Sequence, residues 1–214
     1  MFCPTSKGWV VVLDIGANSV CTPKNLTQFA VMGSVFAQYH LDIENPRVGM
    51  LNIGEERSKG TDIVKEAYVL LENNPGVNFV GNVEGRDVFS SVADVVVCDG
   101  FVGNILLKFG ESILSFTSHV LRQEIKKSIT AKLGAALMKG VFTSFRSRLD
   151  YAEYGGAPLL GVDGVVIISH GKSSVRAIRN AIFMARRLVK YDVNKHIDDK
   201  YHNRPKHHKR RWRQ

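Results

Sequence analysis

The sequence predicts an α/β protein: a parallel-rich sheet with flanking helices. Three observations carry this. Short β-branched runs alternate with amphipathic helical stretches. Each run ends in a loop rich in glycine and polar residues. The composition over 214 residues, 44% hydrophobic against 23% charged, is that of a globular chain in water. Alternation implies parallel pairing, because parallel neighbours need a crossover connection.

The elements follow in order. Residues 9–15 (WVVVLDI) read as a buried strand. Thr22-Pro23 reads as an N-cap followed by proline at the first helical position, and the helix runs to about Tyr39. Residues 47–52 form the next strand, and Thr61 caps a helix carrying Ile63, Val64, Ala67, Tyr68 and Leu71. Residues 77–80 and 94–98 are two further short strands. Residues 165–168 are another, followed by a helix capped by Ser173 or Ser174 and reaching about Val193.

Five strand ends lead into polar, glycine-bearing loops: 14–18, 52–60, 81–87, 99–104 and 169–174. In a parallel sheet they are expected at one edge, the carboxyl ends of the strands, where open α/β sheets bind ligands. Glycine lets backbone approach a ligand, and helix N-termini offer N–H groups to an anion. Each glycine could instead merely make a turn, but the repetition favours an anion site.

Residues 100–148 break the alternation. A long helical stretch is expected from about Asn104, with a turn or kink near Lys127–Ser128, projecting from the sheet as a hairpin. Residues 122–148 hold seven basic residues against one acid, Glu124, interleaved with Ile129, Leu133, Leu137, Met138, Val141 and Phe142. One reading is an arm whose tip lies on an anionic membrane, with Leu133, Leu137, Met138 and Val141 as contacts. Each basic residue there is worth roughly 1 kcal/mol and each well-buried large apolar side chain roughly 1.5–3 kcal/mol. The other reading is a dimerisation bundle; the two are compatible.

The net charge of +9 is mostly a tail property. Residues 200–214 hold seven Lys/Arg and no acid, leaving 22 basic and 20 acidic residues elsewhere. A structured nucleic-acid site is therefore not expected, and residues 196–214 read as a basic, disordered tail. Cys3, Cys21 and Cys98 show neither disulfide nor metal-ligand spacing, which fits a reducing cytoplasm. No apolar run is long enough to span a bilayer.

The stretches LDIGAN (13–18), QFAVMGSVFA (28–37), NPRVGMLNIGEE (45–56), NFVGNVEGRD (78–87), ADVVVCDGFVGN (93–104), LDYAEYGGAPLLGVDG (149–164) and SHGKSS (169–174) together resemble the bacterial acyl-ACP:phosphate acyltransferases of phospholipid synthesis. The resemblance implies an isocitrate/isopropylmalate dehydrogenase-like fold. It implies a homodimer, cytoplasmic and peripherally associated with the membrane. It implies conversion of acyl carrier protein thioester and inorganic phosphate into acyl-phosphate, consumed by a membrane glycerol-3-phosphate acyltransferase. No cofactor is implied. Lys59, in the GEE-x-x-KG loop, and Asn104, in the DGF-x-GN loop, take the functional positions. An ammonium can hold the phosphate dianion, and an amide can stabilise the oxyanion. Asn18, Arg86, His170 and Ser173 are further substrate-binding candidates; His170 could orient phosphate, protonate the leaving thiolate, or simply satisfy loop backbone.

The resemblance also implies an upstream segment, with AVDAMGGD-like and SAGNTGA-like loops, that is absent here. The α/β domain of residues 1–195 is thus expected to be incomplete at its N-terminus. A catalytically inactive or split-gene fragment that retains dimerisation and membrane binding is the alternative. A polyanion binder acting through the tail, or a metal-dependent oxidative decarboxylase, ranks lower. For the latter, Asp14, Asp94 and Asp99 form no recognisable metal motif.

Overall fold

The β-branched runs build a sheet buried on both faces. The structure, a computed structural model, describes residues 1–149 and 155–202. Its strands are β1 (Phe2–Pro4), β2 (Trp9–Leu13), β3 (Arg47–Asn52), β4 (Asn78–Glu84), β5 (Val95–Val97), β6 (Ala157–Leu159) and β7 (Val166–Ile168). Its helices are α1 (Pro23–His40), α2 (Asp62–Glu72), α3 (Gly100–Lys126), α4 (Ile129–Leu137), α5 (Lys139–Leu149), α6 (Val175–Lys190) and α7 (Val193–His202). A 3-10 helix, Gly85–Phe89, follows β4. Residues 150–154 of the LDYAEYGG stretch and residues 203–214 of the basic tail lie outside the described residues.

The main sheet has the order β1-β2-β5-β3-β4. Strands β2, β5, β3 and β4 are parallel, and β1 pairs antiparallel on β2, so the sheet is mixed and mostly parallel. Side chains alternate across it with the period of two that a strand imposes. Val11, Val95 and Val97 enter the larger core with α1, α2 and α7, while Val10, Val12 and Val96 enter a smaller core on the opposite face. Each fully buried valine stabilises the fold by on the order of 2 kcal/mol.

Helix α1 starts where its sequence says. Thr22 accepts from Asn25 N and Asn25 returns a bond to the Thr22 backbone, with proline at the first helical position. Gly33 lets α1 lie close on the sheet; a Cβ there would press on Val95 and Leu13. At the opposite strand ends, Arg47 grips Asp94 through Nε at 3.0 Å and Nη2 at 2.9 Å, tying the starts of β3 and β5 together.

Four expectations are corrected. The run at 165–168 does not join the parallel sheet: β7 pairs antiparallel with β6 in a separate two-stranded sheet. The long helical stretch begins at Gly100, capped by Asp99, rather than near Asn104. The stretch of the arm after Ser128 is two helices rather than one continuous helix, so the arm holds three. It is broken at Lys127–Ser128 as the polar pair suggests, and again at Met138. Helix α6 ends at Lys190, capped at its start by Ser174 and not Ser173, and α7 then runs through 193–202 with Val193 and Ile197 in the core. Residues 196–202 are therefore helical, not tail.

In α3 the fully buried positions stop at Gly103; Leu106 in the second turn still packs on the smaller core, and the helix leaves the body beyond it. Leu133, Leu137, Met138 and Val141 are all exposed on the arm. Among the described residues no helix is long and apolar enough to cross a membrane.

Candidate active site

Strand order brings four of the five glycine-bearing segments together, although 81–84 are part of β4 rather than the loop expected after residue 80, and 100–104 are the start of α3. Because β2, β5, β3 and β4 are parallel neighbours, the segments after them emerge side by side at one edge. The connection from β2 through α1 passes over β5 to reach β3. This leaves β5 central, and the helix after it is flanked by the loops carrying residues 14–18 and 52–60. The fifth loop, 169–174, follows β7 in the other sheet, so strand topology gives it no place on this edge.

Asp14 organises the first loop. Its carboxylate accepts from the backbone N–H of Gly16 at 2.8 Å, Ala17 at 2.9 Å and Asn18 at 2.7 Å, and from Asn18 Nδ2 at 2.9 Å. Burial pushes this carboxyl upward, but the hydrogen bonds together outweigh it and hold the group below the usual carboxylate range. Asn18 thus uses its side-chain amide inside the loop, while its carbonyl accepts from Gly100 N at 2.8 Å. That bond joins the loop to the start of α3.

Asn104 stands in the second turn of α3, exposed, with its side chain next to Gly16; a Cβ on Gly16 would lie 3.6 Å from it. Asp99 fixes the entry of the helix by accepting from Val102 N at 2.8 Å.

Lys59 lies on the neighbouring loop after β3. Asn52 shapes that loop: its Nδ2 donates to Lys59 O at 3.1 Å and its Oδ1 accepts from Ile53 N at 2.8 Å. Gly60, at φ +90, sits where any side chain would press on the Asn52 amide. From beneath, Asn82 Nδ2 donates to Glu56 O at 2.9 Å, and Asn82 Oδ1 is buried with no partner among the described residues. The Lys59 side chain is exposed.

Arg86, just after β4, is exposed and pairs with Glu84 at 3.0 Å and, more loosely, with Glu55 at 3.9 Å. His170 is exposed, with Nδ1 accepting from Lys172 N at 3.4 Å, and Ser173 Oγ is buried without a partner among the described residues.

Lys59, Asn104, Asn18 and Arg86 therefore share one edge, whereas His170 and Ser173 belong to a different element. Asp14, Asn52 and Asn82 were not singled out as site residues. Asn82 carried a signal, since asparagine inside a strand is unusual and asks for a reason.

The cysteines are all buried. Burial, followed by the nearby Asp99 and Asp14 charges, pushes the Cys98 thiol up to about 12. It stays protonated, a poor nucleophile. Among the described residues no group of three or more His, Cys, Asp or Glu could hold a metal ion. A cavity of about 480 Å³ lies elsewhere, lined by Tyr39, the 74–76 turn before β4, His196 and Lys200, at the opposite edge from these loops.

The arrangement offers a cationic side chain, an amide and close-approach glycines around a helix N-terminus, which suits an anionic reactant and a developing negative charge. A family model described as "Fatty acid synthesis protein" matches residues 1–196. A phosphate acyltransferase of Geotalea daltonii is 48% identical over 197 residues, covering 92% of this chain and 57% of the relative. That of Thermosynechococcus vestitus is 53% identical over 192 residues, covering 90% and 56%. That of Aquifex aeolicus is 49% identical over 194 residues, covering 91% and 57%. The chain thus spans little more than half the length of the relatives it matches.

Proposed function

The chain belongs to the fatty acid synthesis protein family, and on that premise we propose that it carries the phosphate-acylating site of a phosphate acyltransferase. The reaction joins an oxygen of inorganic phosphate to the carbonyl carbon of an acyl carrier protein thioester. The tetrahedral oxyanion collapses, the C–S bond breaks, and acyl-phosphate and the carrier thiol leave. Phosphate is itself the nucleophile, so no covalent enzyme intermediate is required.

Lys59 holds the phosphate dianion and offsets its repulsion from the developing oxyanion. The Asn104 amide donates to that oxyanion; one such donor is typically worth about 10²–10³ in rate. Arg86 steers phosphate or the carrier. His170 and Ser173 serve only if their loop meets this edge. Asn18 acts by holding the 14–18 loop on α3. The observation that carries the reading is the side-by-side emergence of the Lys59 loop and the Asn104 helix from neighbouring strands β3 and β5.

The α3–α5 arm, basic and apolar, is proposed to pair two copies of the chain and rest on a membrane surface, where a glycerol-3-phosphate acyltransferase takes the product. On this reading the protein works in the cytoplasm, peripherally bound to membrane. The exposed Val175, Ile178, Ile182 and Val189 of α6 favour a second reading: a chain that retains dimer and membrane contacts and turns over only with a complementary segment. Incorporation of radiolabelled inorganic phosphate into acyl-phosphate tests the first reading. Incorporation by the chain supports it. Absence of incorporation with the complementary segment present refutes it.

A further inference from the structure

Helix α6 is divided lengthwise into three arcs. Ala177, Ala181, Met184 and Leu188 are buried. Arg176, Arg179, Arg186 and Lys190 form a basic arc on the far side, with the exposed Phe183 among them. Between them, at the i, i+3, i+7 and i+14 positions of one face, stand Val175, Ile178, Ile182 and Val189. These are exposed, Val175 to 88% and Ile182 to 62%. A helix with only one packed side places polar residues over the rest of its surface. This one continues its apolar surface for a further third of its circumference before it turns basic, the pattern of a helix packed on two sides.

The sheet before it shows the same incompleteness. β6 and β7 are three residues each and among the described residues pair only with one another, too little for independent stability. Ile167 packs toward the main core, while Val166 and Ile168, on the opposite face, are 44% and 54% exposed. Among the described residues no strand pairs with the second edge of β7, which can take a further strand.

We infer that the apolar arc of α6 and the outer face and edge of β7 are a docking surface for the part of the acyltransferase polypeptide that lies outside the present match in the relatives. The length argument selects this occupant: the match covers 57% of the Geotalea daltonii protein, and the rest of that protein must pack somewhere. The basic arc stays in water and rims the contact, which asks for acidic residues at the partner's edge. The inference rests on family membership and not on the proposed reaction.

Cysteine accessibility tests it, because the native Cys3, Cys21 and Cys98 are buried and react slowly. In the full 214-residue chain, Val175→Cys and Ile182→Cys are labelled with a maleimide alone and with the unmatched segment of the Geotalea daltonii protein, coexpressed as a separate chain. Labelling at both positions is expected to slow at least tenfold with the segment present, while Phe116→Cys on the arm keeps its rate. Should the segment not fold by itself, the same readout is taken in the intact Geotalea daltonii protein with cysteine at the positions aligned to Val175 and Ile182. There the rates are expected to be at least tenfold below those in this chain. Unchanged rates in the intact relative overturn the inference. So does slowing that appears with rising concentration of this chain alone, which would mark a second copy as the occupant. Slowing produced by anionic phospholipid vesicles or by acidic carrier protein, without the segment, would equally overturn it.

Discussion

Gly103 lies so close to the carbonyl of Asp14 that the first atom of any side chain there would collide with that oxygen and press on Cys98 Sγ. The contact seats α3 on the 14–18 loop and so sets where Asn104 stands. Overpacking at such a point costs about 1–3 kcal/mol. Gly103→Ala is expected to lower the urea midpoint accordingly. Gly110→Ala, in the same helix with open space around it, is expected to raise stability by about 0.4–1 kcal/mol. Equal midpoints for the two variants would show that α3 does not depend on this approach.

Asp14 accepts four hydrogen bonds, and Asp14→Asn leaves one oxygen to do the work of two while turning an N–H₂ toward donors. Hydrogen bonds to a charged group are worth about 1.5–3 kcal/mol each, so a loss of on the order of 3 kcal/mol is expected in chemical denaturation. Asp14 holds the backbone of the 14–18 loop directly. Hydrogen exchange should therefore quicken at Gly16, Ala17 and Asn18 before it changes in α2.

Much of this was legible in the sequence where the determinant is local. Thr22 and Thr61 announce their helices because capping needs only the next three residues. The burial of Val10, Val11 and Val12 on alternate faces of the sheet follows from β-branching in a run too short for a helix. The partner of β7 was not legible, because a short apolar run reads the same whether its neighbour is parallel or antiparallel. The break at Met138 was hidden in a stretch of good helix formers. α3 starts four residues before the sequence suggests, because Gly100 and Gly103 look like loop residues whereas close packing on Asn18 and Asp14 is what demands them. The support that Asn82 gives to the Lys59 loop is long-range, 26 residues away in sequence.

His40 gives the fold an acid-sensitive joint. Its ring packs on both Phe2 and Phe36, 5.0 Å from each, in a three-ring cluster whose two phenylalanines also touch at 5.4 Å, with Nδ1 buried and unpartnered among the described residues. Burial, followed by the Arg187 charge, lowers its pKa to about 4 from the usual 6.5. The folded state therefore binds the proton less readily than the unfolded chain. Its stabilising contribution is complete above pH 6.5 and is lost as pH falls toward 4. After allowance for partial exposure this amounts to about 2 kcal/mol. His40→Phe is expected to flatten the stability profile across that window. Asp14 and Asp94, both held below their ordinary values, add their losses only at lower pH. A profile unchanged by His40→Phe would assign the acid sensitivity elsewhere.

Lys59 and Asn104 are both exposed, so removing either side chain should leave the denaturation midpoint within about 0.5 kcal/mol of the parent. Lys59→Ala is expected to raise the KM for phosphate, and Asn104→Ala to lower kcat by about 10²-fold. Near-normal kinetics in either folded variant would remove that residue from the chemistry.

The most direct measurement is release of free thiol from acyl carrier protein thioester, with and without inorganic phosphate and with hydroxylamine to trap acyl-phosphate. It is made on the full chain, alone and with the unmatched segment of the Geotalea daltonii protein. The expected result is phosphate-dependent release matched by an equal amount of acyl hydroxamate in at least one of the two arrangements. Release that ignores phosphate, or no release in either arrangement from folded protein, would contradict the assignment of acyl transfer to this edge of the sheet.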